Sequence, residues 1–308
     1  GFFPGVILYI SYWFPTRYRA GITAIFMAAV PISVALGSPI SGALLLMDGF
    51  MDLKGWQWMF LIEAAPAFIL AGVVLRYMTD KPAKAAWLSK EERDWLIAEM
   101  AEEESRVKNG HSQKTILSTL ADPRVLALSI VYFGTSAGLY TLGIWAPQII
   151  SQHGVGPLAT GFINSIPPIF SVAAMVLWSR HSDKTGERTW HVFGACLLAA
   201  VGLVLASQST ALISVVLSLI IVNIGVSSAK PPLWAMPTQF LSGASAAAGI
   251  AAINSIGNLG GFLGPAIIGY IKTTTGSYEW GLVCVAIALT LSAGLVLLIS
   301  TKSEAEGR

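Results

Sequence analysis

The sequence predicts an all-α, polytopic membrane protein, and three observations predict it. Half of the charged residues, 18 of 36, lie between Arg76 and Arg124, which leaves the rest of the 308-residue chain nearly without charge. A water-soluble domain built that way could not solvate its surface. The apolar runs are also long: Val125 to Arg180 carries no charge before its last residue, and neither Thr189 to Ala229 nor Pro231 to Ile271 carries any. About 20 apolar residues cross a bilayer as a helix, so each run holds one or two crossings. Finally, 54% of residues are hydrophobic, 12% are charged and the mean hydropathy is +0.66, which excludes disordered, collagen-like and disulfide-stapled classes.

In chain order, the pattern gives a short helix at 1–14 and crossings near 20–46, 56–77, 125–150, 158–178, 190–206, 211–233, 247–271 and 280–300. Polar breaks at Ser207 to Thr210 and Met236 to Ser245 separate the later ones. The chain begins at Gly1 without methionine, and Gly1 to Phe14 is too short to cross before Arg17 and Arg19. The expectation is therefore a chain that starts inside a transmembrane helix. If successive loops alternate sides, 16 of the 19 basic residues fall on one face, Lys54 and Lys272 on the other, and Lys230 at a span end. Short cytoplasmic loops retain Lys and Arg, so the segment 76–124 and the C-terminus are expected in the cytoplasm, with the protein in an inner or plasma membrane.

The charged middle segment holds SKEERDWLIAEMAEEE, in which Ser89 and Glu92 form a capping box and Trp95, Leu96 and Met100 an apolar stripe. It reads as an amphipathic surface helix, either a linker under the membrane or a docking site. The expected division is residues 1–77 as part of one bundle, 78–124 as a cytoplasmic loop, 125–301 as a six-helix bundle and 302–308 as a tail.

Several residues stand out within the spans. Ser33, Gly37 and Ser41 follow at i+4 steps, with Pro39 and Gly42 beside them in GSPISG. In GIAAINSIGNLGGFLGPAIIGY, Asn254, Asn258, Gly261 and Pro265 fall on one helical stripe, with Gly257, Gly260 and Gly264 nearby. Small residues let membrane helices approach closely. An amide in hydrocarbon needs a partner, so the asparagines either bond a neighbouring helix or line a polar cavity. Glu63, eight residues into its span, either bonds a neighbouring helix or carries a coupling proton. Lys230, just ahead of Pro231, Pro232 and Trp234, either snorkels outward or faces a cavity as a cation for an anionic solute. Tyr140 lies deeper than Trp145 and Gln148 in YTLGIWAPQII and is the better cavity candidate. Between two span ends, RHSDKTGER offers a turn in which Asp183, Gly186 and Arg188 can tie two helices through charge-assisted bonds. Cys196 and Cys284 sit in apolar runs, and His111, His153, His181 and His191 are scattered in or beside loops, so neither a disulfide framework nor a metal site is expected.

Together these segments resemble the major facilitator superfamily, and within it the anion:cation symporter family of tartrate-like and sugar-acid permeases. The resemblance runs from GFFPG at Gly1 and YWFPTRYRA, through GWQWMFLIEAAPA from Gly55, to PPLWAMPTQFLSG from Pro231 and the asparagine-glycine stretch from Gly249. SDKTGER resembles the second copy of that superfamily's DRxGRR gating motif, with Asp183, Gly186 and Arg188 matching and Lys184 a conservative change. The resemblance implies twelve helices in two bundles and uphill import of a small organic anion with protons, by a monomer without cofactor. This chain would then start in helix 4. It also implies that Trp234 and Asn254 line the cavity, while Asn258, Tyr140 and an inward Lys230 are added by helix face and depth. A receptor with the same fold, signalling through residues 76–124, is the competing reading. An enzyme is not expected, since no HExxH, nucleophile setting or intramembrane carboxylate pair exists, and a net charge of +2 gives no reason for a nucleic-acid partner.

The charge partition makes a direct prediction: single cysteines placed near Lys84 and in the last seven residues react with an impermeant maleimide from the same side of the membrane. Labelling from opposite sides overturns the span count.

Overall fold

The computed structural model describes residues 2–110, 116–237, 240–241 and 243–306. The described chain is helical throughout: α1 (Phe2–Trp13), α2 (Thr16–Leu45), α3 (Gly55–Tyr77), α4 (Lys90–Gly110), α5 (Ile116–Leu120), α6 (Pro123–Ser151), α7 (Pro157–Thr185), α8 (Thr189–Gln208), α9 (Leu212–Ala235), α10 (Gly243–Thr275) and α11 (Glu279–Glu306). Among the described residues, eight helices are long and apolar enough to cross a membrane, in α2, α3 and α6 to α11. Proline lies inside α2, α3, α6, α7, α9 and α10. Such residues persist in membrane helices because neighbouring elements satisfy the backbone groups they free.

Two boundaries differ from the sequence reading. The turn in RHSDKTGER is shorter than expected: α7 continues to Thr185, and only Gly186 to Arg188 joins it to α8. Thr185 Oγ1 donates back to the His181 carbonyl at 2.9 Å, and Gly186, at φ 69°, ends the helix in the left-handed region. These two devices satisfy the last carbonyls where hydropathy alone would have stopped the helix. Likewise α11 runs to Glu306, past the expected tail boundary at 302. Of the polar break at 236–245, residues 238, 239 and 242 lie outside the described residues, as do 307 and 308 of the expected tail.

The chain divides into two compact units, one made of Gly1–Met27 with Leu44–Gln113, the other of Ala28–Ala43 with Lys114–Arg308. In the smaller unit, α3 starts where Asp48 Oδ1 accepts the Gly55 N–H at 2.8 Å and Trp58 Nε1 donates to the Phe50 carbonyl at 3.1 Å. Only Gly55 of α3 is buried, so Phe60, Leu61, Phe68 and Leu75 form an apolar face far larger than water tolerates. The capping box at α4 is formed: Glu92 N–H donates to Ser89 Oγ at 3.2 Å, and Ser89 N–H to Glu92 Oε2 at 3.0 Å. Hydrogen bonding to Ser89 holds the Glu92 carboxyl below its ordinary range. Trp13 stacks on Trp87 at 5.4 Å beside an apolar cavity of about 440 Å³, whose lining includes Trp95 and Leu96 from the expected stripe.

The larger unit holds the core. Asp122 caps α6 by accepting the Arg124 N–H at 2.9 Å, and Pro123 takes the first helical position, where no N–H is needed. α10 packs along α6, α8 lies between α9 and α11, and α7 packs on α9. One cluster joins Ile150, Leu203, Leu219, Val222, Ile268 and Leu289; a second joins Val125, Leu128, Val192, Leu233, Ile253 and Val296. Lipid tails are as apolar as these side chains, so close packing, not exclusion of water, holds the helices together. The α8–α9 crossing shows how: a Cβ on Gly225 would stand 2.5 Å from the Ala199 nitrogen.

Gly225→Ala is therefore expected to cost about 1–3 kcal/mol through overpacking, seen as a lower thermal midpoint in detergent. Gly294→Ala, where a Cβ would meet no atom within 4 Å, is expected to leave the midpoint unchanged or raise it.

Candidate functional site

The residues singled out by the sequence fall into two groups within the larger unit, one along α6, α9 and α10 and one at the α7–α8 turn. The glycines of α10 let it come close to α6: a Cβ on Gly257 would overlap the Tyr132 ring, on Gly260 the Phe133 carbonyl, and on Gly261 the Tyr140 ring. A Cβ on Gly264 would lie 3.0 Å from the Ala137 Cα. Pro265 accepts a hydrogen bond from Trp145 Nε1 at 3.1 Å, so Trp145 ties α6 to α10.

On the stripe of α10 that also carries Gly261, Asn258 Nδ2 donates to Asn254 Oδ1 at 2.7 Å. The sequence offered two fates for these amides, a neighbouring helix or a cavity, and the structure gives a third: they bond each other one turn apart. One Asn258 N–H, both Asn254 N–H groups and the Asn258 carbonyl remain outside this bond. Asn258 is exposed and Asn254 half-buried. Tyr140 is 47% exposed and lies against Gly261. Trp234 packs edge-on against Tyr132 at 4.9 Å, and Lys230 stands one turn before Trp234 on α9. Tyr132 thus lies against Trp234 of α9 on one side and Gly257 of α10 on the other. Sequence reasoning missed Tyr132. Its signal was present, since Tyr132, Ser136 and Tyr140 follow at i, i+4 and i+8.

At the α7–α8 turn, Arg188 Nη1 pairs with Asp183 Oδ1 at 2.5 Å and donates to Ser182 Oγ at 2.9 Å. Ser182 Oγ in turn donates to the Glu187 carbonyl at 2.6 Å. Glu187 caps α8: its carboxylate accepts the Trp190 N–H at 2.8 Å and the His191 N–H at 3.3 Å, and meets the His191 ring at 2.9 Å. Partial burial alone would raise the Glu187 carboxyl, but these bonds from Trp190 and His191 bring it below its ordinary value.

The remaining candidates lie elsewhere. In the larger unit, Gly42 of α2 abuts α7, where a Cβ would stand 2.7 Å from the Pro157 carbonyl, and Pro39 meets Gly161. Asn164 Nδ2 donates to Ser38 Oγ at 2.9 Å across the same contact, a pairing the sequence did not suggest. Gly37 is different, since a Cβ there would meet nothing within 4 Å and its small size serves no close approach among the described residues. Glu63 lies within the exposed stretch of α3. His181, near the end of α7, and His191, near the start of α8, lie beside the turn ring against ring, while His111 lies outside the described residues. No group of three or more metal-binding side chains occurs among the described residues. The apolar cavity beside Trp13 presents almost no polar group and offers nothing to orient a hydrophilic solute.

The lowered Glu187 carboxyl sets a pH dependence. Its contribution to stability is complete at neutral pH and is lost as pH falls below about 4. Glu187→Gln is expected to lower the thermal midpoint at neutral pH and to leave it unchanged near pH 3; an equal loss at both values overturns the assignment of the cap.

Comparison with known proteins agrees with this architecture. The family model described as "Major Facilitator Superfamily" matches residues 1–265. Two proteins of Agrobacterium vitis, each named "Putative tartrate transporter", are 65% and 63% identical, over 100% and 98% of this chain and 70% and 67% of their own length. The solved structure of the xylose transporter XylE from E. coli superposes with a TM-score of 0.66 at 15% identity, covering 93% of this chain and 65% of that one, and shows likeness of fold.

Proposed function

This chain belongs to the major facilitator superfamily, and on that premise we propose that it works as a secondary active transporter that imports a small organic anion with protons. It is a multi-pass membrane protein, and its relatives are transporters, not enzymes. The solute class is a hydroxylated carboxylate: tartrate, a related sugar acid, or a hydroxylated aromatic acid. The observation that carries this reading is the whole-chain identity of 65% to a relative named for tartrate transport.

The candidate residues of α6, α9 and α10 supply the right chemistry. The N–H groups of Asn254 and Asn258 outside their mutual bond can donate to carboxylate or hydroxyl oxygens, Tyr140 and Trp234 add donors beside apolar ring faces, and Lys230 balances the negative charge. Donors aimed at a carboxylate form stronger bonds than donors aimed at a neutral oxygen, which favours acids over sugars. The Asp183–Arg188 pair and the Gly186 turn act as a gate on the cytoplasmic side, the side to which the charge partition assigns the C-terminus as well. Glycines on α10 let that helix slide against α6 as the site changes access. Glu63 is the candidate carrier of the coupled proton among the residues of the smaller unit.

Membrane vesicles containing the complete protein are expected to accumulate radiolabelled tartrate or another hydroxy acid, and to do so faster when the outside is acidic. Asn254→Ala is expected to cut uptake by about tenfold or more, because a solute oxygen that loses its donor costs about that much in discrimination, with the protein still at normal abundance in the membrane. Normal uptake by that variant removes the amide pair from the site. Tight binding without accumulation replaces the transporter with a receptor.

A further inference from the structure

Away from the amide and aromatic surface, three titratable side chains form a chain of contacts at the α7–α8 junction. His181 Nδ1, on the last turns of α7, stands 2.7 Å from His191 Nε2, on the first turn of α8. His191 Nδ1 stands 2.9 Å from Glu187 Oε2. His191 is buried, 7% exposed, and Trp178 covers it: the indole packs edge-on at 5.0 Å and its Nε1 donates to the His191 carbonyl at 3.1 Å. His181 is exposed.

Hydrogen counting along this chain fixes its chemistry. An ionised Glu187 only accepts, so His191 carries its hydrogen on Nδ1 and presents a lone pair at Nε2. His181 then donates from Nδ1 and keeps Nε2 open. One further proton can enter at that open nitrogen with every bond kept, and it makes the link between the rings charge-assisted and oriented toward a carboxylate. A second proton would place hydrogens on both facing nitrogens and break the ring-to-ring bond. The chain is built to hold one added proton and no more.

We propose that His181, His191 and Glu187 form a one-proton binding site which, when filled, stiffens the α7–α8 turn and slows the rearrangement of Asp183 and Arg188. The connection is short, since Ser182 Oγ bonds both Arg188 and the carbonyl of Glu187. Other charges in reach are those of the turn and its packed neighbours. α7 adds Arg180, Asp183 and Lys184, the turn adds Arg188, and α9 carries only Lys230. Among the described side chains of α11 only Glu279 is charged, at the opposite end of that helix. Histidine ordinarily changes charge between about pH 5 and 8, so filling of such a site would follow the acidity of the compartment the turn faces.

The proton site stands on geometry alone; its effect on gating rests on the transport reading above, and two measurements separate them. The protein is labelled with ¹³C and ¹⁵N in its histidine rings, of which this chain holds four. In nanodiscs the ring signals of His181 and His191 are expected to change together as one coupled transition on acidification, and Glu187→Gln is expected to move that transition. Independent transitions, or a midpoint that Glu187→Gln leaves in place, overturn the site. In proteoliposomes, tartrate uptake is expected to fall about fivefold as pH on the turn's side drops from about 7.5 to about 5.5. His181→Gln, at an exposed position that leaves the fold intact, is expected to abolish that fall. A parallel fall in both proteins overturns the gating step. No uptake at any pH overturns the transport reading and the gating step with it, while the ring titration still judges the proton site.

Discussion

Hydrocarbon gives a backbone amide nothing to bond, and it gives an apolar side chain no reason to leave it. Both facts bear on every helix of the larger unit. The first makes each span a complete helix with its ends closed by local devices, such as Asp122 at α6, Gly186 at α7 and Glu187 at α8. The second means that adhesion must come from contact at short range. Gly202 and Gly225 where α8 meets α9, and Gly257, Gly260, Gly261 and Gly264 where α10 meets α6, are where that contact is made. Remove the close approach and the aromatic residues lodged in it, Tyr132 and Tyr140, lose their seats.

How much of this was visible in the residues follows from the same physics. Charge is so rare in the spans that its placement marks the loops, which is why all eight long apolar helices could be read, most with ends within a few residues. The capping box at α4 was equally plain, because Ser89 and Glu92 are a local signal. What escaped was whatever depended on two helices meeting. α7 outruns its apolar run because Thr185 and Gly186 finish it, a detail of hydrogen bonding and not of hydropathy. The meeting of His181 and His191, ten positions apart and facing each other across the turn, escaped for the same reason.

For the candidate surface, the residue types were legible and their relations were not. Asn254 and Asn258 were marked by helical spacing, but their mutual bond was not anticipated, since spacing cannot say which of several partners an amide takes. Tyr132 was overlooked because an aromatic residue in an apolar helix carries no distinguishing mark until Trp234 and Gly257 are seen on either side of it. Gly37 was the reverse case, a small residue at small-residue spacing with open space before it.

The bond between Asn254 and Asn258 has one more consequence. Because one Asn258 N–H and the Asn254 carbonyl satisfy each other within a single turn, α10 can lose contact with a partner on that face and leave fewer bare dipoles behind than two separate amides would. A helix equipped in this way tolerates an empty groove, and an arriving guest must offer more than the latch it opens.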